Sequence, residues 1–123
     1  MIYKKKDLVI DGFKPELLGK KYSTPLYCYS FKQIKKNIIY LKNNFKKINP
    51  LICFAVKANP NKILLQKIGK LGLGADVVSI GELMKALKSG IKPNKIVFSG
   101  VGKTSKEIIY AIEKKILLIN AES

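Results

Sequence analysis

The chain has 123 residues, enough for one domain with its own core and too few for two. A hydrophobic share of 47% excludes a disordered chain, which would lack the apolar surface needed to offset its ordering entropy. The formal charge of +16 is carried by 24 lysines without a single arginine, spread along every segment. That pattern fits a solvated basic surface better than a dedicated nucleic-acid binder, where arginine forks and basic clusters are favoured.

In chain order, the front reads as turns and short strands, LVIDGF near residue 8 and PLYCYS from Pro25. MIYKKKDLVIDGF carries positive charge but lacks the apolar stretch and small-residue cleavage site of a secretory signal, and no segment approaches 18 uninterrupted apolar residues. The expectation is a protein of the reducing cytoplasm, with no membrane partner. Cys28 and Cys53 fall in short apolar runs, so each is expected to act as a small buried hydrophobe.

Ser30 and Gln33 have capping-box spacing, and Phe31, Ile34, Ile38, Leu41, Phe45 and Ile48 follow at three- and four-residue steps. This predicts a helix that buries its apolar stripe and leaves its lysines in water.

From Leu51 a module repeats: an apolar strand, a capping residue, an amphipathic helix, a turn. The predicted strands are LICFAV (51–56), GADVV (74–78), KIVFS (95–99) and ILLIN (116–120). The intervening helices are opened by Asn59 and Pro60, by Ser79 with Glu82, and by Thr104 with Glu107. Gly72 and Gly90 stand where helix ends call for a left-handed residue. Strands and helices alternating at this spacing predict an α/β fold of parallel strands, either a doubly wound sheet or a (β/α)8 barrel. A barrel typically needs about 250 residues, so this chain would hold its first half. Half a barrel leaves a strand edge and an apolar face uncovered, and is expected to associate unless further sequence covers them.

FAVKANPN, residues 54–61, is the most informative string. Lys57 follows an apolar strand and precedes a helix, at the strand end where α/β enzymes place their active sites. If it points inward, Ala55 and Cys53 share its face while Phe54 and Val56 meet the helices. A partly desolvated lysine amine can attack a carbonyl and form a Schiff base; a lysine merely snorkelling from a strand end is the plainer alternative. Asp76 lies inside an apolar strand and needs a partner, for which Lys57, one strand over, is a candidate; a structural ion pair or a strand-ending turn is the alternative. Glu82 is explained by its cap. SGVGKT (99–104) lacks the first glycine of a Walker A loop, residue 97 being valine, and reads as a connection that offers a ligand its backbone N–H groups. The absence of histidine excludes histidine triads and most zinc sites within this chain, and no metal site is expected.

FAVKANPN, LGLGADVVSIGELMKALKSGI, KIVFSGVGKTSKEI and LLINAES, with TPLYCYS ahead of them, closely resemble the N-terminal part of the diaminopimelate decarboxylase family, fold-type III pyridoxal-phosphate enzymes. The resemblance runs from about residue 23 to the end. It implies the N-terminal half of a (β/α)8 barrel: residues 1–30 as strands and turns leading in, and 31–123 as the first helix and four strands. It also implies pyridoxal 5′-phosphate as cofactor, Lys57 as its Schiff-base lysine, Asp76 as an acid near that linkage, and decarboxylation of meso-diaminopimelate to lysine at a dimer interface. The ring-stacking histidine, the glycine-rich phosphate loop and the acid that pairs with the ring nitrogen are missing from this chain, so alone it is expected to have little or no activity. Ser23 stands where the family usually has glycine. An ornithine- or arginine-type decarboxylase, a non-catalytic cofactor carrier and a basic binding module are the other readings.

Overall fold

A computed structural model describes residues 2–4 and 7–122. The chain packs as two compact units, residues 1–48 and 49–123.

In the first unit, β1 (Ile2–Lys4) pairs antiparallel with β2 (Asp7–Val9), and Ile10 bridges to Phe13. α1 (Pro15–Tyr22) was not expected; Pro15 at its first position, Glu16 in its first turn and Lys20 and Lys21 in its last suit the helix dipole. Pro25–Ser30 forms no strand, against the reading of PLYCYS, and Cys28 in it is exposed instead of buried. α2 (Phe31–Phe45) begins at Ser30, whose hydroxyl accepts from the Gln33 N–H at 3.0 Å, but the Gln33 side chain donates to Asn37 and leaves the box half made. No residue of α2 is buried: Phe31, Ile34 and Ile38 are half-buried, and Leu41 and Phe45 are exposed. The stripe is there, but among the described residues of the first unit only Val9 is buried, so little core exists for it to join.

The second unit is the repeated module. β3 (Cys53–Ala55), β4 (Gly74–Val77), β5 (Ile96–Phe98) and β6 (Leu118–Ile119) form one parallel sheet in the order β3-β4-β5-β6, with Ala55 beside Asp76, Asp76 beside Val97, and Val97 beside Leu118. The strands are shorter than the apolar runs predicted, because pairing stops where the chain turns into each connection. Val56–Ala58 and Pro93–Lys95 are single 3-10 turns.

α3 (Lys62–Lys70) starts at Asn61, not at Asn59 and Pro60 as predicted. The Asn61 side chain caps the N–H groups of Ile63 and Leu64, while Asn59 turns the chain by accepting from the Asn61 N–H at 3.0 Å. α4 (Ile80–Lys88) is capped by Ser79, and α5 (Ser105–Glu113) by Thr104 in a full capping box with Glu107. Gly72 and Gly90 hold φ of 82° and 81°, as their helix ends require.

The pleat sorts residues to two faces. Val56, Ala75, Val77, Ile96 and Phe98 join Leu65, Leu83, Ala86 and Ala111 of α3, α4 and α5 in the core. The alternate positions, Cys53 and Ala55, Gly74 and Asp76, Val97, and Leu118, therefore share the opposite face. Four parallel strands in sequence order, each followed by a helix where one is present, are half of a (β/α)8 barrel, and the second face is its inner wall.

Candidate active site

The C-terminal ends of β3, β4, β5 and β6 bring the polar residues together. The strand β3 ends at Ala55, so the 3-10 turn, not the strand pleat, sets the direction of Lys57. Val56 anchors that turn in the core at 0% exposure, and the Asn59 N–H donates back to the Val56 carbonyl at 3.1 Å. Lys57 follows, exposed and without an ion pair among the described residues.

Asp76 is half-buried beside Ala55, two residues short of Lys57 in register. Its partner is not Lys57, as the sequence suggested, but Ser99, whose hydroxyl donates to Asp76 Oδ1 at 2.7 Å. Asn120 Nδ2 in turn donates to Ser99 Oγ at 2.9 Å. Backbone bonds that carry the ladder one residue past the strands hold both: Ser99 N–H to the Val77 carbonyl at 2.8 Å, and Asn120 N–H to the Phe98 carbonyl at 2.9 Å. Sequence reasoning passed over Ser99 and Asn120. Their signal was their place, two residues beyond Val97 and Leu118 on the inner face.

Cys53 lies two residues before Ala55 on the same face. Burial, and then the nearby Asp76 carboxylate, push its thiol up from the ordinary value, which disfavours the nucleophilic thiolate.

The 99–104 connection is less available to a ligand than its glycines suggest. The Gly100 N–H donates to Glu122 Oε1 at 2.6 Å, the Thr104 N–H to Glu107 Oε2 at 2.9 Å, and the Lys103 amine turns back to the Gly100 carbonyl. Two of the connection's N–H donors are thus taken by carboxylates.

The parallel strands and their helices define the class, an α/β barrel protein, and an exposed lysine stands at one strand end with a carboxylate one strand over. The family described as pyridoxal-dependent decarboxylase, pyridoxal binding domain, matches residues 31–123, and the chain belongs to that family. It is 51% identical over 111 residues to a diaminopimelate decarboxylase of Helicobacter pylori, and 46% identical over 121 residues to one of Aquifex aeolicus. These alignments cover 90% and 98% of the chain but 27% and 28% of the relatives, so the chain spans about a quarter of their length. A crystal structure of diaminopimelate decarboxylase from M. jannaschii, in complex with L-lysine, superposes with a TM-score of 0.91 at 40% identity, over 98% of this chain and 29% of that one.

The residues fit a pyridoxal group at its aldehyde end. A primary amine in no ion pair among the described residues stands at the strand end, and the inner face below it carries the small residues Ala55 and Gly74. No helix of the described residues is long and apolar enough to cross a membrane, and no cluster of three or more metal-ligating side chains occurs among them.

Proposed function

We propose that this chain supplies the lysine-bearing first half of the barrel of a pyridoxal-phosphate-dependent decarboxylase acting on meso-diaminopimelate. Residues 1–30 lead into the barrel, and 31–123 are its first helix and four strands. The observation that carries the reading is the position of Lys57: exposed, just beyond β3, with Asp76 on the adjoining strand.

Lys57 holds pyridoxal 5′-phosphate through its amine. The bound cofactor supplies the electron sink for the pair left when CO2 departs. Asp76, beside Ala55 on the adjoining strand, adds a carboxylate to the same inner wall. Ala55 and Gly74 keep the wall below the amine low. The ring-stacking, phosphate-binding and ring-nitrogen partners lie outside these residues, so turnover requires the rest of a complete, dimeric enzyme in the cytoplasm. Identity of 51% to an enzyme of that name, with the lysine-bound relative as a structural match, supports diaminopimelate as substrate and lysine as product.

The test is borohydride reduction in the presence of pyridoxal phosphate, followed by peptide mapping. Label concentrated on Lys57 supports the reading; label scattered over many of the 24 lysines removes its basis.

A further inference from the structure

We propose that Ser99 and Asn120 are positioning residues for the reaction, acting through Asp76. The inference rests on the function proposed above.

The three side chains form a directed relay across three adjacent strands. Asn120 Nδ2 can only donate, so it takes a lone pair of Ser99 Oγ at 2.9 Å. The Ser99 hydrogen is then directed to Asp76 Oδ1 at 2.7 Å, and the polarised hydroxyl is a better donor for it. A serine used in this way requires Asp76 to be the acceptor, which suits a carboxylate and holds one of its oxygens in place. Oδ2 is left without a hydrogen-bond partner among the described residues, free to serve the space at the end of β3.

The frame beneath the relay is rigid where it matters. The Ser99 and Asn120 backbones are tied to Val77 and Phe98, both 0% exposed. The Glu122 carboxylate closes on the Gly100 N–H, which binds the end of β6 to the loop after β5 on the far side of Asn120. A carboxylate free to change rotamer would present its second oxygen to the space at the end of β3 only part of the time. A hydrogen-bonded one is held ready, and misplacement of such a group costs up to about a hundredfold in rate.

The experiment uses the complete decarboxylase containing these residues, with Ser99→Ala, Ser99→Thr and Asn120→Asp. The last keeps the shape of the side chain and removes its N–H donor. The expected result for Ser99→Ala and Asn120→Asp is a fall in kcat of about tenfold to a hundredfold. KM should stay within about twofold, and borohydride labelling of Lys57 should persist. Ser99→Thr, which keeps the hydroxyl, should restore kcat to within about threefold. A second reading needs no cofactor: the carboxyl-carbon NMR shift of Asp76 should move in Ser99→Ala and return in Ser99→Thr. An unchanged kcat in Ser99→Ala, a threonine variant no better than alanine, or an Asp76 shift blind to both changes overturns the proposal. Failure of the functional reading shows separately, as an unmodified enzyme that neither labels at Lys57 nor releases CO2 while the Asp76 shift still responds.

Discussion

Gly74 and Cys53 face each other across β4 and β3 with no room for one more carbon. A Cβ at position 74 would stand 2.7 Å from Cys53 Sγ and 2.2 Å from the Lys95 carbonyl oxygen. The glycine is there for close approach, not for its backbone freedom. Gly74→Ala should therefore lower stability by about 2–3 kcal/mol, since the carbonyl belongs to the backbone leading into β5 and cannot swing aside. The urea midpoint measures it; a loss under about 0.5 kcal/mol would show that this approach is loose.

Ser23 ends α1 with φ 67° and ψ 167°, a region almost reserved for glycine. Ser23→Gly should relieve that strain and stabilise the chain by about 1 kcal/mol, despite the added freedom of the unfolded chain. A thermal melt that moves upward is the expected outcome.

Glu107 links two helix starts. Its carboxylate accepts from the Thr104 N–H and hydroxyl at the head of α5, and from the Ile80 N–H at the head of α4, at 2.9, 2.8 and 3.1 Å. The Thr104 N–H, then the Ile80 N–H, then the Thr104 hydroxyl hold its carboxyl below the ordinary value of 4.5. The folded chain therefore binds the proton less tightly than the unfolded one. The stabilisation is complete above 4.5 and is lost as pH falls through the lower, folded value. Glu107→Gln should flatten that acid limb while leaving the neutral limb parallel to the parent. Thr104→Ala, which removes the cap itself, should cost about 1 kcal/mol at neutral pH.

The two cysteines should separate by reactivity. Cys28 is exposed, whereas Cys53 is half-buried with its thiol pushed up by burial and by Asp76. At neutral pH a maleimide should modify Cys28 first, and Asp76→Asn should speed Cys53 by removing the charge that opposes its thiolate. Mass spectrometry of the two peptides over time reads both rates. Equal rates in the parent chain would mean that Cys53 is not shielded as the fold requires.

The second unit was largely legible in the sequence, because each element announces itself locally. Ser79, Thr104, Gly72 and Gly90 act within one helical turn of their own positions, and a capping hydroxyl or a left-handed glycine needs no distant partner. Lys57 was legible for the same reason: the end of an apolar run before a turn is the end of a parallel strand. The first unit was less so. α1 is short, with no buried residue to give it a strong apolar period, and Pro25–Ser30 has the composition of a strand without a neighbour to pair with.

What the sequence by itself determined is the alternation of strand and helix, the parallel order that follows from it, and the lysine at the first strand end. Only the tertiary structure decided who meets whom. Lys57 and Asp76 could be paired on paper, but the register gives Asp76 to Ser99, and Ser99 to Asn120, residues 23 and 21 positions apart along the chain. Ser79 caps the Glu82 N–H at 3.2 Å as the spacing suggested, but the Glu82 side chain accepts from the Val78 N–H at 2.9 Å, while the Ile80 N–H is taken by Glu107 from the next helix. Helix caps and apolar periods depend on neighbours within a turn, so composition and spacing reveal them. A hydrogen bond between strand ends depends on how far each strand runs before it turns, and that length is set by packing against the helices.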